Sequence, residues 1–462
     1  MDPIVKQFLA LAKENPERAI ALGHGWVWSR QQLALEAQTR AKELEQCLRE
    51  NARGSGALVA LASLRKPSFL ASFLACRIAG LCVLLLDEDT PAEEQQRLAH
   101  GLGAWAIWRP TQEREGLPVS SELEVLGGTT CLPKAACLKL TSGSTSDPVS
   151  IMTPTESLLA DAAALADSMG FNGEDRFLVT VPLSHAYGLS MLASPAWLLG
   201  ATLIFPMAGG EFQAAEEFAA TVLPSVPSWF EAHLARSADL PPLDPSLRLL
   251  ISAGAPLRSK TALAWEKTHG RAIHVLYGSS ECGGICYDRT GTAAERSRVG
   301  SPITGVQVDL DESGLISVRS AAVTTGYFPS SPKRRSSIED GCFRTEDLGE
   351  FVDGELALLG RTSEWINVKG RKVNPREIES VLEQMPSVTD VVVLRRELPD
   401  GRGEGIRAVI ACAPGSIHFP EVLAWCSSRL VSHKIPRSIA FVEQLPRTSR
   451  GKLDRAALLS MP

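Results

Sequence analysis

The chain has 462 residues, more than one ordinary compact domain holds and enough for about two to four. Hydrophobic residues are 44% and charged residues 22%, the balance of a soluble globular protein with a large core. A net charge of -6 excludes general nucleic-acid affinity, which needs a basic surface; the tight basic run Lys333-Arg334-Arg335 reads as a solvated loop.

Ile4, Phe8 and Leu11 recur at helical spacing, and charged residues interrupt the apolar stretch, so the start reads as an amphipathic helix and not a signal peptide. Next, Gly56 to Leu61 predicts a strand, Pro67 to Ala79 a helix ended by Gly80, and Leu81 to Leu86 a fully buried strand. A continuous apolar strand fits a parallel sheet covered on both faces. Strands follow at Val179 to Pro182, Leu203 to Phe205, Leu249 to Ser252 and Val275 to Tyr277, which together predict a layered α/β body. Between Arg176 and Glu211 there is no Asp, Glu, Lys or Arg, but Pro182, His185, Pro195 and Pro206 break the run, so buried helix and strand are expected rather than a membrane span.

From about Gly300 the texture changes. Val306 to Leu310 and Leu315 to Val318 alternate around the turn Glu312-Ser313-Gly314, a small β subdomain. Beyond Arg361 comes a helix (Pro375 to Gln384), strands (Thr389 to Arg395 and Arg407 to Ala413) and a helix (Pro420 to Leu430), a separate α+β domain. The expected division is 1–361 and 362–462. Ten scattered cysteines include no Cys-x-x-Cys pair, and Cys282 and Cys286 lack partners at zinc spacing. Free thiols and a cytoplasmic location are expected.

Four stretches suggest chemistry. Thr141-Ser142-Gly143-Ser144-Thr145-Ser146-Asp147-Pro148 follows an apolar strand end, and its hydroxyls and backbone N–H groups suit phosphate oxygens. No Gly-Lys-Ser/Thr ends it, so it is not a Walker A loop. In Tyr277-Gly278-Ser279-Ser280-Glu281, Gly278 permits a sharp turn, Glu281 could hold Mg²⁺ and Ser280 could reach a phosphate. Asp347, in Phe343 to Leu348, could accept ribose hydroxyls, with Arg361 following. Lys452, in Leu445 to Arg455, could bring a point charge to a developing phosphoryl charge.

Taken in order, these stretches resemble the adenylate-forming superfamily of acyl-CoA synthetases, aryl-CoA ligases and stand-alone adenylation enzymes, over nearly the whole chain. Asn15 to Ile20, Ala79 to Asp87, Leu140 to Pro148, Pro182 to Leu189, Ser252 to Leu257 and Lys434 to Arg437 carry the resemblance. It implies a large N-terminal α/β body and a smaller mobile α+β C-terminal domain. It also implies a two-step reaction with ATP and Mg²⁺: a carboxylic acid becomes acyl-AMP, and a thiol of coenzyme A or of carrier-protein phosphopantetheine then takes the acyl group. By matching, Thr141, Ser142, Gly143, Ser144 and Thr145 would hold phosphates. Glu281 would bind Mg²⁺ beside Ser280, Tyr277 and Gly278, and Gly254 and Ala255 would lie by the adenine and acyl group. Asp347 and Arg361 would bind ribose, Lys369 and Gly370 would serve the second half-reaction, Lys452 would bridge carboxylate and α-phosphate, and His185 would gate the acyl pocket.

Several positions depart from the pattern. The family's loop usually ends Gly-x-Pro-Lys, but here it reads Ser146-Asp147-Pro148-Val149, so the lysine that meets the leaving phosphates is absent, which implies either weaker pyrophosphate-side binding or another cation in its place. Glu346 stands where Gly is usual, Ser363 replaces the hinge Asp or Lys, and Asn367 is shorter than usual. Amino-acid-activating relatives carry an Asp in the pocket helix, whereas Val181 to Leu192 has no acid, which favours a non-amino acid, aryl or fatty. Trp229, Cys282, Gly283 and Gly284 would line the pocket, the two glycines leaving room for a ring or chain. A free-standing enzyme is expected, with an acyl carrier protein as one possible partner. The alternatives are a non-catalytic nucleotide or acyl-adenylate sensor, suggested by Val149, and a serine hydrolase, which Gly278 to Cys282 disfavours because no closing Gly completes a nucleophile elbow.

Overall fold

The computed structural model describes the chain apart from residues 63–66, 88–89, 115–116, 141–148, 237–241, 331–336, 369, 398–402, 448–452 and 462; for 110–114, 117–121, 455 and 456 it describes the backbone alone. The basic run 333–335 therefore lies outside the described residues. Two compact units emerge, Met1–Asp309 with Ser317–Arg344, and Leu310–Ile316 with Thr345–Pro462.

The first unit is a layered α/β body, as the strand and helix alternation predicts. A seven-stranded sheet runs in the spatial order Gly326–Phe328, Ser150–Thr153, Cys137–Leu140, Cys82–Leu86, Leu58–Ala62, Ala106–Arg114, Leu117–Val125. Its centre is parallel, and every residue of Cys82–Leu86 is buried because both faces are covered. Alternation along each strand feeds two cores. Val59, Leu61, Val83, Leu85 and Cys137 enter one cluster, and Leu58, Ala60, Cys82, Leu84 and Leu138 the other. Truncating a residue such as Leu84 to Ala would cost about 2–5 kcal/mol.

A nine-stranded sheet has the order Ser301–Pro302, Gly283–Tyr287, His274–Ser279, Leu249–Ser252, Val222–Ser225, Arg176–Leu178, Thr202–Phe205, Ala19–Gly23, Trp26–Ser29. Phe177, Leu203, Val222, Leu249 and Ile251 share the large cluster with residues of the first sheet and of helices Pro3–Glu14, Arg30–Glu50 and Pro67–Ile78. The opposite face, with Leu178, Ile204, Leu223 and Leu250, packs on Trp265 of helix Ser259–His269.

The uncharged stretch 177–210 forms helix and strand, mostly buried, and ends in an exposed turn at Met207 to Gly209. Its strand lies three residues earlier than expected, at Arg176–Leu178, where the exposed Arg176 marks the sheet end and Phe177 pairs with Leu203. Short helical pieces (Ala186–Gly188, Leu189–Ala193, Ser194–Leu199) follow, and Trp197 stacks on Phe73 with ring centroids 4.7 Å apart. Among the described residues, no helix is long and apolar enough to cross a membrane.

In the second unit, strands Asp390–Glu397 and Glu404–Ala411 pair antiparallel, and Ser438–Val442 adds to the latter in parallel. Helices Pro375–Leu382 and Phe419–Ser427 cover one face through Ile378, Leu382, Val422 and Cys426. Asn374 caps the first of these with Pro375 at its first position. The strand Ser438–Val442 was not expected from its short, half-buried pattern.

Candidate active site

Within the first unit the motif residues collect at one place in the topology, the carboxyl ends of parallel strands. Cys137–Leu140 runs parallel to Cys82–Leu86 and leads into 141–148; Leu249–Ser252 leads into Ala253-Gly254-Ala255; His274–Ser279, parallel to Leu249–Ser252, leads into Ser280 and Glu281. Open α/β sheets bind ligands outside these ends. Thr141, Ser142, Gly143, Ser144 and Thr145 themselves lie outside the described residues, as do Lys369 and Lys452.

Glu281 is the most firmly held of the predicted residues. One carboxylate oxygen accepts the Tyr327 hydroxyl at 3.0 Å and the other accepts the Ser279 hydroxyl; its backbone carbonyl accepts the Thr324 N–H at 2.9 Å. Each carboxylate oxygen keeps a second lone pair. A lone carboxylate with capacity to spare suits Mg²⁺, which usually takes one or two carboxylates together with water and substrate phosphates. Among the described residues no cluster of three His, Cys, Asp or Glu could form an all-protein metal cage. Gly278 is required here, since a Cβ would stand 2.6 Å from the Gly283 carbonyl oxygen across the hairpin. Tyr277 lies in the same strand, opposite Cys286. Gly254 takes a φ of +84°, a turn that brings backbone to the surface beside Ala255.

His185 Nε2 lies 2.7 Å from Asp87 Oδ2, with the Asp87 side chain 5% exposed and the His185 side chain 27% exposed. Asp87 follows directly on the buried strand Cys82–Leu86, so the rigid centre of the seven-stranded sheet orients the imidazole. The sequence reading named His185 without this partner; the signal was a carboxylate closing an apolar strand.

A second missed carboxylate is Asp161, on helix Thr155–Met169 and 5% exposed. Its oxygens accept the Ser190 hydroxyl and the Gly284 N–H, and burial pushes its carboxyl above the ordinary aspartate range. The segment 181–192 thus has an acid against it, delivered by another helix, but both its oxygens are engaged. This contact also corrects the reading of Gly283 and Gly284. A Cβ on Gly283 would meet Asp161 Oδ1 at 2.2 Å, and one on Gly284 would meet Ile303 and Leu165 at 2.8 and 2.9 Å. Protein, not a ligand, fills the room their small size creates. Cys282 is fully buried with its thiol pushed well up by burial, and Trp229 stacks on His233 at 3.7 Å.

In the second unit, Asp347 and Arg361 face each other in register on strands Cys342–Val352 and Glu355–Arg361, with Arg361 Nε donating to Asp347 Oδ1 at 2.7 Å. The Arg361 side chain is 57% exposed. Two departures from the expected pattern meet here, as the Ser363 hydroxyl donates to the Glu346 carboxylate at 2.9 Å. Gly370 takes a φ of +82° in the turn between Ile366–Val368 and Arg371–Val373.

The sequence profile of the AMP-binding enzyme family matches residues 10–328, and that of the AMP-binding enzyme C-terminal domain matches 377–452. The chain belongs to the AMP-binding enzyme family. It is 29% identical to a feruloyl-CoA synthase of Amycolatopsis, covering 90% of this chain and 91% of that one. It is 27% identical to a 2-succinylbenzoate–CoA ligase of Bacillus licheniformis, covering 83% and 85%. Among solved structures, O-succinylbenzoate coenzyme A synthetase from Bacillus subtilis in complex with AMP superposes with a TM-score of 0.83 at 20% identity, covering 100% of this chain and 98% of that one. The fold is therefore that of the adenylate-forming enzymes, with a large N-terminal body and a smaller C-terminal domain.

Proposed function

We propose that this chain is an acid–thiol ligase that activates a non-amino carboxylic acid as acyl-AMP and passes the acyl group to the thiol of coenzyme A. The observation that carries the reading is the Ser280–Glu281 turn, fixed at the carboxyl end of a parallel strand in a chain of the AMP-binding enzyme family. Its relatives named for aryl acids, feruloyl, indoleacetate and 2-succinylbenzoate, support an aryl acid over a fatty one. The lack of any acid within 181–192 supports a non-amino acid, because a buried ammonium there would find no partner in that segment.

In the first step the substrate carboxylate displaces pyrophosphate in line at the α-phosphorus. Catalysis is then positioning and charge stabilisation. Glu281 would hold Mg²⁺, whose charge offsets that of the phosphates. Thr141, Ser142, Gly143, Ser144 and Thr145 cradle the phosphates, Ser280 lies near the α-phosphate, Gly254, Ala255, Tyr277 and Gly278 border the nucleotide, and Lys452 bridges carboxylate and α-phosphate. Asp347 and Arg361 take the ribose, the aspartate as hydrogen-bond acceptor. In the second step the thiol attacks the acyl carbon and AMP leaves, with Lys369 and Gly370 on the thiol side and His185, oriented by Asp87, at the mouth of the acyl pocket. The working division of the chain is 1–361 and 362–462, with Ser363 at the hinge. A carrier-protein phosphopantetheine presents the same thiol and is the second possible acceptor. Ten free cysteines fit a reducing, cytoplasmic setting.

The test is formation of acyl-CoA by the full chain with MgATP, coenzyme A and a panel of cinnamic, benzoic, indoleacetic, medium-chain and amino acids, read by mass spectrometry. Thioester from the aryl acids supports the reading; thioester from amino acids alone overturns it.

A further inference from the structure

The loop between strands Cys137–Leu140 and Ser150–Thr153 ends on Val149, where related sequences carry a lysine, but the strand that enters this loop carries a lysine of its own. Lys139 sits opposite Ile151 in the antiparallel pair. Side chains alternate along a strand, so continuing the alternation past Ser150 puts position 149 on the Lys139 face, about 7 Å nearer the loop. That is a step a four-carbon stem can span.

Lys139 is 6% exposed, an unusual place for an ammonium. It donates to the Ser280 carbonyl at 3.0 Å, and among the described residues this is its one hydrogen bond and it has no ion pair. An ammonium has three donors. The buried Asp161 acts on it electrostatically, but among the described residues no carboxylate oxygen lies within ion-pair distance of the ammonium. A buried cation with donors to spare is costly unless an anion completes it.

The sheet register shows where that anion would be. Tyr327 pairs with Ile151 and Ile151 with Lys139, so the three form one row across the sheet. Tyr327 grips the Glu281 carboxylate and Lys139 the Ser280 carbonyl. One row therefore fixes both residues of the turn, and its cation stands two residues before Thr141, where the loop begins.

We infer that Lys139 supplies, from the strand, the positive charge for the pyrophosphate portion of ATP that position 149 lacks. This rests on the adenylation reading above. The experiment is calorimetric binding of MgATP and of AMP to the full chain. The variants are Lys139→Met, Lys139→Gln, which keeps a donor for the Ser280 carbonyl but no charge, and Lys139→Met with Val149→Lys. Both single variants should weaken MgATP about 10- to 100-fold, the worth of one hydrogen bond to a charged group, and leave AMP within about twofold, which also reports an intact fold. The double variant should regain MgATP binding. Unchanged MgATP affinity overturns the inference. So does equal weakening of ATP and AMP, or a Lys139→Gln protein that binds like wild type, each of which reduces Lys139 to a support for the turn. A wild-type chain that binds AMP but not MgATP removes the adenylation reading itself, and a Lys139 defect confined to MgATP in a wild type that binds both keeps the two claims apart.

Discussion

The Ser280–Glu281 turn in the first unit and the Asp347–Arg361 pair in the second are both read as nucleotide-binding, yet they are built differently. The turn is gripped from three directions, by Tyr327 on Gly326–Phe328, Lys139 on Cys137–Leu140 and the backbone of Thr324. The pair spans two neighbouring strands, with Arg361 more than half in solvent. Placing charge where a transition state develops it needs groups that do not reorganise, and these are expensive to hold. On the proposed reading, the firmer positioning belongs to the turn that would meet the phosphates, and the more exposed contact to the pair that would meet the ribose.

Substitutions can break or sharpen this contrast. Glu281→Gln keeps the shape but halves the acceptors and removes the charge, so acid-dependent turnover should fall about 100-fold or more, with a raised Mg²⁺ requirement in a metal titration. Tyr327→Phe removes one grip and leaves Ser279, so kcat should fall about tenfold while the KM for the acid holds. An equal loss in Tyr327→Phe and Glu281→Gln would mean that the carboxylate has no separate role. Asp161→Asn probes the buried network beside the turn. Burial holds the Asp161 carboxyl above its unfolded value, so its support of the fold is complete below the unfolded pKa and is lost as pH rises through the folded one. The variant has no charge to bury, so its melting temperature relative to wild type should climb as pH rises above the ordinary aspartate range, about pH 4; a flat difference would mean that Asp161 keeps its charge state over the range scanned. Smallest of all, Arg361→Ala should change unfolding free energy by less than about 0.5 kcal/mol, as exposed ion pairs do, while raising the KM for ATP. A large loss of stability would erase the contrast between the two regions.

Much of this was legible in the sequence. Apolar strands such as Leu249 to Ser252 and the order of the motifs gave the layered α/β body and the family. What escaped was long-range: Lys139 looked like an ordinary strand residue, and only the register with Ile151 and Tyr327 makes it part of the turn. Asp161 lies 123 residues from Gly284, a separation no local pattern spans. Gly283 and Gly284 were legible as small but not as filled, since the occupants come from a helix and a neighbouring strand connection. Strand Ser438–Val442 was missed because its half-buried residues lack clean alternation, and its parallel partner lies 31 residues away at the nearest pair.

The central claim, that the site forms acyl-adenylate, is tested most directly by acid-dependent exchange of labelled pyrophosphate into ATP. The purified full chain should catalyse it with an aryl acid and Mg²⁺, without coenzyme A, and fail with amino acids. Measurable binding of ATP with no exchange for any acid would contradict the claim and leave a nucleotide-binding protein in the frame of a ligase.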